Sequence, residues 1–404
     1  MAAQSIGRNI IIPIFMHNAL LSPPLSLYIH FPWCIQKCPY CDFNSHAVKD
    51  TFPEDRYINA LINDLAQDIA QFEETRTIQS IFMGGGTPSL FSAVQLDRLL
   101  TAMQQYLTFA NDIEITLEAN PGTFESDKFA AYREIGINRL SIGIQSFNDQ
   151  HLKRLGRVHS AQEAIRAISI ARQAGFDNFN LDLMFGLPES SEQDSLHDVQ
   201  QAIALQPSHI SFYQLTLEPN TYFHKYPPAL PSDEAIFKEQ LACQQLLAEH
   251  GYQQYEISAY AQPGKQCRHN INYWSFGDYL GIGAGAHGKI TQSLPADIVR
   301  TVKPRQPEQY LQHTKDDRLA QAIKQSDLPL EFVMNHLRLK KGFDLNTYTQ
   351  RTGLCLQSLQ PALADCLQQG LLLEHQQHYE CSEKGWYFLD SILENFLSTD
   401  ITDA

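Results

Sequence analysis

Residues 33–41 read WCIQKCPYC and place three cysteines, Cys34, Cys38 and Cys41, at C-x3-C-x2-C spacing with Tyr40 before the last. The segment follows SLYIHF at 26–31, an apolar run typical of a buried strand. Electron-carrying iron–sulfur proteins usually give four cysteines to a cubane cluster. Three thiolates leave one iron without a protein ligand, and an open iron can bind a small molecule. The spacing, the count and the position after a strand therefore predict a [4Fe–4S] cluster with one open iron.

The cysteines also admit two other interpretations. Structural zinc is closed by four ligands, and within finger spacing His46 would complete an irregular C-x3-C-x2-C-x4-H set. A secreted disulfide framework needs a small, cysteine-dense chain, which a chain of 404 residues with eight cysteines is not. Cys267 stays a candidate functional residue because it lies beside other unusual residues. The remaining cysteines are expected to be ordinary thiols: Cys243, Cys355, Cys366 and Cys381.

Length and charge limit the class of protein. A single core stops growing at roughly 250–300 residues, so 404 residues predict two domains. The 45 acidic and 30 basic residues give a net charge of −15, and no cluster of Lys and Arg suits a nucleic acid. The apolar run at 9–21 contains Pro and His and is too short for a membrane span. We expect a cytoplasmic protein, either free or peripheral at a membrane, with a loosely ordered leader over 1–24.

Strand-like apolar runs alternate with segments of helical period. The predicted strands are 26–31, 78–83, 113–118, 138–144, 178–184 and 209–215, and helical period is found, for example, over 56–72, 93–106 and 161–174. Six β/α units imply parallel strands with right-handed crossovers, hence a barrel or part of one. Chemistry in such folds lies at the C-terminal strand ends, and the polar and glycine-rich segments do follow the strands.

The rest of the chain changes in pattern after Pro219. We expect a barrel over 25–225, an extension over 226–310 that carries HNINYW at 269–274, and a helical domain over 311–404. The segment LLLEHQQHYECSEKGWYFL at 371–389 suggests a wing-like hairpin in that last domain. The predicted fold is therefore a partial (β/α)6 barrel with a small, mainly helical, winged-helix-like C-terminal domain.

Two motifs, YIHFPWCIQKCPYCDFNSH at 28–46 and HNINYW, carry a resemblance to a known family. The chain resembles the radical SAM superfamily, in the branch of oxygen-independent coproporphyrinogen III oxidase, and within that branch the haem chaperones. The likeness runs from about residue 25 to 288 in motifs. It implies that Cys34, Cys38 and Cys41 hold a [4Fe–4S] cluster whose open iron binds S-adenosylmethionine (SAM), and that haem is also bound.

The resemblance also implies a set of SAM-binding residues at the strand ends. GGGTPS at 84–89 leaves the backbone free for positive φ and close approach to a ligand, although a tight turn alone would also use glycines. Carboxylates suit the hydroxyls and ammonium of SAM, and an arginine suits its carboxylate. Leu215 would add only backbone or packing contacts. The implied SAM residues are Tyr28, Gly85, Gly86, Thr87, Glu118, Gln145, Arg157 and Asp182.

The choice of activity within the branch depends on two departures from the oxidase. The oxidase has a further cysteine two residues after its third, where this chain has Phe43, and it has a longer N-terminal region than the 27 residues before Tyr28. These departures argue against porphyrinogen oxidation. HNINYW instead offers His269 as an axial ligand of haem, with Tyr273 and Trp274 beside the macrocycle.

The leading hypothesis is a haem chaperone that lacks coproporphyrinogen III dehydrogenase activity and passes haem to an acceptor haemoprotein, such as a membrane-bound respiratory enzyme. Two alternatives stay open, namely the oxygen-independent oxidase itself and a non-catalytic iron–sulfur electron carrier. From spacing alone His269 is also compatible with a core histidine, and Cys267 or His287 would then be the next candidate ligands. The chain is expected to be a monomer or a homodimer.

Overall fold

Six parallel strands form the middle of a 12-stranded sheet in the computed structural model, which describes residues 20–48, 52–122, 128–293, 296–312 and 319–397. These strands are β1 (Leu25–Phe31), β4 (Ile78–Gly85), β5 (Phe109–Ala119), β6 (Arg139–Gln145), β7 (Phe179–Phe185) and β8 (His209–Gln214). Each overlaps a predicted strand. They pair in chain order, as expected for successive right-handed β/α units.

Helices connect these strands and cover the outside of the sheet. In the first part of the chain they are α1 (Glu54–Phe72), α2 (Ala93–Tyr106), α3 (Phe129–Glu134), α4 (Asp149–Arg154), α5 (Ala161–Gln173), α6 (Glu192–Ala204), α7 (Tyr222–Lys225) and α8 (Asp233–Glu249). Helix α5 begins at a capping box in which Ser160 and Glu163 satisfy each other's backbone N–H groups. The helices bury their apolar faces on the strands in one continuous core.

Further strands, most of them antiparallel, extend the sheet at both edges. On one side β8 pairs with β10 (Ala259–Ala261), which pairs with β9 (Gln253–Glu256). On the other side β1 pairs in parallel with β11 (Asp278–Ile282), followed by β12 (His287–Ser293), β13 (Ala296–Val302) and β14 (Leu319–Ala322). Within the described residues β9 and β14 end the sheet without pairing to each other, so the barrel is open, as predicted.

A second core is formed by the C-terminal helices and a three-stranded sheet of β15 (Phe343–Asp344), β17 (His378–Cys381) and β16 (Leu372–His375). The helices are α11 (Leu328–His336), α12 (Leu345–Thr352), α13 (Ala362–Gln368), α14 (Glu383–Tyr387) and α15 (Leu389–Asn395). Strands β16 and β17 form the hairpin suggested by the sequence. Strand β14 belongs to the large sheet although it follows residue 310, and the domain boundaries stay a prediction.

Four further elements are short: β2 (Trp33–Cys34) pairs with β3 (His46–Ala47), α9 (Arg268–Trp274) carries HNINYW, and α10 (Pro307–Leu311) precedes β14. Most of the predicted leader, residues 1–19, lies outside the described residues. Leu20 packs in the C-terminal core. Among the helices of the described segments, none has the length and apolarity to cross a bilayer.

Candidate functional site

The three clustered cysteines lie in a loop at the C-terminal end of β1. Strands β2 and β3 pair across this loop, so that Cys34 is held in a strand while Cys38 and Cys41 lie in the connection. The Cys41 N–H donates to Cys38 O over 3.2 Å, and Lys37 Nζ donates to Phe43 O over 3.1 Å. All three thiols line one cavity of about 140 Å³.

The thiols of Cys34, Cys38 and Cys41 are accessible from the cavity, and burial changes the acidity of two of them. All three are half-buried and free of disulfides. Among the described residues, no group of three His, Cys, Asp or Glu side chains is placed to hold a single metal ion. Burial raises the pKa of Cys34 to about 11 and also raises that of Cys41. Metal binding would therefore have to displace protons from these thiols.

The glycine-rich segment packs directly on the end of β1. Gly85 has φ of +108°, and a Cβ there would lie 2.4 Å from the His30 ring. A Cβ on Gly86 would lie 2.5 Å from Trp33 O. The Thr87 N–H donates to Trp33 O over 2.7 Å. Glycine is therefore required here by contacts within the protein, and these contacts bring residues 85–87 to the rim of the cysteine cavity.

Two half-buried carboxyl groups, those of Glu118 and Asp182, line this cavity. Burial, and next the charge of Asp182, raises the pKa of Glu118 to about 8, although the Gly85 N–H donates to Glu118 Oε2 over 3.0 Å. Burial likewise raises the pKa of Asp182, which accepts from Asn180 Nδ2 at 2.7 Å and Ser141 Oγ at 3.3 Å. At neutral pH, Glu118 is therefore largely protonated and can donate as well as accept.

Arg157 and Gln145 complete the polar wall. Arg157 Nη2 donates to Asn120 Oδ1 and Gly143 O, each over 2.8 Å, and Nη1 lies 3.7 Å from Cys38 Sγ. Its Nε is buried without a hydrogen-bond partner among the described residues. Gln145 has φ of +72°, uncommon for a residue with a side chain, and its Oε1 accepts from the Tyr213 hydroxyl over 2.7 Å. The wall thus offers a guanidinium, an amide and two carboxyl groups beside the thiols.

Two predicted site residues, Tyr28 and His269, lie outside this cavity. The Tyr28 hydroxyl is hydrogen-bonded to His30 Nδ1 at 2.9 Å, because residues two apart share a strand face. The His269 ring stacks on Phe82 at 4.7 Å between centroids, with Tyr28 at 6.3 Å and Tyr273 at 6.5 Å. Burial lowers the pKa of His269 to about 4, so its imidazole is neutral at pH 7.

Helix α9 carries His269 toward the N-terminal halves of the strands. Glu114 of β5 accepts from the N–H groups of Arg268 and His269, over 3.0 and 3.3 Å. Asn272 Nδ2 donates to Ser26 Oγ, near the start of β1, over 2.9 Å. The two reserve ligands differ in exposure. Cys267 is buried with its Sγ 3.6 Å from Glu114 Oε1, whereas His287 is exposed.

Sequence reasoning did not single out several residues that line the cavity. Asn120 links the loops, since its Nδ2 donates to Thr87 Oγ1 over 3.0 Å while its Oδ1 accepts from Arg157. Tyr213 lies on β8, at the same alternation as His209 and Ser211, both of which are hydrogen-bonded to Asn180 Oδ1. Alternation along that strand would have pointed to Tyr213. Leu215, which is expected to add only backbone or packing contacts, packs in an apolar cluster that Tyr40 and Tyr213 also contact. The other lining residues are Gln36, Tyr40, Phe43, Ser45, Ala119, Ser141 and Gly143.

Comparison with known proteins gives consistent matches. The radical SAM superfamily matches residues 28–202, and the HemN C-terminal domain matches residues 323–388. The chain is 50% identical to heme chaperone HemW of Escherichia coli over 382 residues, 93% of this chain and 99% of that protein. It is 48% identical to heme chaperone HemW of Haemophilus influenzae over 383 residues, 94% of this chain and 99% of that protein.

The likeness extends to a distant relative and to a solved structure. Heme chaperone HemW of Bacillus subtilis is 32% identical over 382 residues, 92% of this chain and 99% of that protein. The structure of coproporphyrinogen III oxidase (HemN) from Escherichia coli, described as a radical SAM enzyme, superposes with a TM-score of 0.78 at 23% identity. It covers 95% of this chain and 91% of its own, and it shows that the fold is shared. The chain therefore belongs to the HemW family of the radical SAM superfamily.

Proposed function

We propose that this chain is a haem chaperone that holds a [4Fe–4S] cluster through Cys34, Cys38 and Cys41, binds SAM at the open iron and passes haem to acceptor haemoproteins. The observation that carries the proposal is one cavity lined by three thiols, a glycine loop, two carboxyl groups and a half-buried arginine. The identity to proteins named heme chaperone supports haem as the cargo.

Each wall residue has a role that its contacts support. Arg157 is already oriented by Asn120, Gly143 and Cys38 Sγ, so its Nε and the second N–H of Nη1 are available to the carboxylate of SAM. Glu118 and Asp182 would bind the hydroxyl and ammonium groups, and Gln145 is fixed by Tyr213. Gly85, Gly86 and Thr87 keep the loop close to the thiols. When bound and reduced, the cluster supplies one electron that can cleave a carbon–sulfur bond of SAM.

The substitution at Phe43 favours a chaperone over the oxidase. Phe43 is 58% exposed and lines the cysteine cavity, at the position where the oxidase carries a further cysteine. A phenyl ring supplies neither a thiolate nor a proton-transfer group at that point. We therefore propose that the chain does not oxidise coproporphyrinogen III, and that its acceptor is a haemoprotein such as a respiratory enzyme, reached from the cytoplasm.

His269 is the proposed axial ligand of haem. Its imidazole is neutral at pH 7, and its Nδ1 is buried without a hydrogen-bond partner among the described residues. A neutral imidazole is the form that ligates iron. The ring centroids of Tyr28, Phe82 and Tyr273 lie within 6.5 Å of the His269 ring centroid. The macrocycle therefore has to displace one of these rings, or helix α9, to reach a nitrogen of His269.

Anaerobic reconstitution followed by haem titration tests the proposal. We expect the reconstituted chain to bind haem, to change its cluster spectrum when SAM is added, and to transfer haem to an apo-haemoprotein. A parallel assay supplies coproporphyrinogen III, SAM and a reductant, and we expect no protoporphyrinogen. Formation of protoporphyrinogen would favour the oxidase, and a cluster spectrum that ignores SAM would favour the electron carrier.

A further inference from the structure

A second, larger cavity lies where the outer face of the barrel meets the C-terminal helices. It has a volume of about 730 Å³, against about 140 Å³ for the cysteine cavity, and falls in the usual range of ligand pockets. Strands β7 and β8 form one wall, helix α8 another, and residues 386–391 of α14 and α15 the third. The cavity is therefore a groove between the two cores.

Flat aromatic rings line this groove. Phe185 and Phe212 stack at 4.6 Å between centroids on the sheet side. Phe237 and Tyr387 meet edge to face at 5.3 Å on the opposite side, and Phe388 lies beside them, 57% exposed. Phe237 is itself 43% exposed. Exposed rings that converge on an open groove favour a flat apolar ligand, because ring faces and edges pack well on a π-system.

The charges of the groove restrict how such a ligand is oriented. Arg338 is the cationic lining residue, and its Nε is buried without a hydrogen-bond partner in the described parts of the chain. Its Nη2 lies 3.7 Å from Glu256 Oε2, too long for a good hydrogen bond. Glu218 and Asp390 also line the groove and would repel an anionic substituent. A ligand with carboxylates would therefore direct them toward Arg338.

The groove also adjoins both motifs that define the proposed function. Tyr213 lines the groove as well as the cysteine cavity, where its hydroxyl bonds to Gln145. Arg338 lies over the ring of Trp274, the last residue of HNINYW, at 4.3 Å. We propose that this groove is a docking site for the porphyrin ring of haem, with Arg338 binding a propionate. The inference rests on the proposed function and gives haem a second docking position, distinct from the one in which His269 ligates its iron.

Metal-free protoporphyrin tests the groove, because it has the ring and both propionates but no iron to ligate. The reconstituted full chain is titrated with protoporphyrin and, separately, with haem. We expect Phe237→Ala, Phe388→Ala and Arg338→Gln each to weaken protoporphyrin binding by roughly tenfold. Matched controls are Tyr222→Ala, an aromatic that is 62% exposed elsewhere, and Arg98→Gln, whose arginine pairs with Asp55. Circular dichroism and cluster absorbance verify the fold of each variant.

The outcomes separate the groove from the proposed function. Weaker protoporphyrin binding in the three groove variants, with both controls unchanged, supports the docking site. If the wild-type chain binds haem but the groove variants keep wild-type affinity for protoporphyrin, the groove proposal is overturned and the chaperone proposal stands. Binding of haem without binding of protoporphyrin would also overturn it. A wild-type chain that binds neither overturns both.

Discussion

Replacement of Arg157 is the most informative perturbation of the cofactor cavity. The guanidinium donates from Nη2 to Asn120 and Gly143 and from Nη1 to Cys38 Sγ, which leaves Nε and the second N–H of Nη1 to bind a ligand carboxylate. A hydrogen bond to a charged group is worth roughly 1.5–3 kcal/mol, which corresponds to roughly a 10- to 150-fold change in affinity. We expect Arg157→Gln to weaken SAM binding by a factor in this range. The SAM affinity of Arg157→Lys should lie between those of the wild type and Arg157→Gln, because lysine keeps the charge and loses the planar fork.

The assay is anaerobic equilibrium binding of SAM to the reconstituted chain, with iron and sulfide content measured on the same samples. Arg154→Gln is the matched control, since Arg154 lies three residues earlier and pairs with Glu189 near the surface. The thermal midpoint is also measured, because loss of the guanidinium leaves Asn120 Oδ1 without this donor. SAM affinity within twofold of wild type in Arg157→Gln, with an intact cluster, would refute the assigned role.

Three further predictions concern the cluster, pH and haem. Cys38→Ala should lose iron and sulfide while Cys355→Ala, which changes an exposed thiol, keeps them; normal content in Cys38→Ala would contradict the three-cysteine ligand set. The pKa of Glu118 is raised to about 8, so the folded state holds this proton more tightly than the unfolded state does. The resulting stabilisation is fully present below about pH 4.5 and is lost as pH rises from about 4.5 to about 8. The thermal midpoint of Glu118→Gln should therefore depend less on pH over that interval than the midpoint of the wild type. Parallel pH dependences of the two midpoints would contradict this. His269→Ala should abolish or shift the haem bands and leave the cluster absorbance unchanged, whereas a lower thermal midpoint with unchanged haem affinity would mean a core histidine.

The parallel strands could be predicted from sequence because both of their faces are buried. Strands β1, β4 and β7 are buried along most of their length, and helices separate the successive parallel strands. Residues that follow parallel strands must meet at one end of the sheet. The family resemblance named Glu118, Gln145, Arg157 and Asp182, which lie at or shortly after strand ends, and all four line the cavity of the cysteines. The open edges depend on pairings of short strands such as β9 and β14, which carry little periodic signal.

The place of His269 could not be predicted, because the course of a short helix after an irregular segment depends on tertiary contacts. Strand-end reasoning assigns polar residues to the C-terminal side of the sheet, but α9 does not follow one of the six strands directly. Glu114, buried within β5, holds the N–H groups of Arg268 and His269 and so fixes the start of the helix. Glu114, a glutamate inside the predicted strand at 113–118, was the available signal. Such a residue needs donors, and here the donors are the backbone of the motif.

The three cysteines and HNINYW lie at different places in the fold, so SAM and haem could influence each other's binding only through the residues between them. The thiols line a cavity at the C-terminal strand ends, whereas His269 stacks on Phe82 and Tyr28. Tyr28 is joined to His30, and a Cβ on Gly85 would meet the His30 ring. A shift of Tyr28 that admitted haem to His269 would therefore also move His30 and the glycine loop beside the thiols. Because coupling free energies are reciprocal, haem should alter SAM affinity by the same factor by which SAM alters haem affinity.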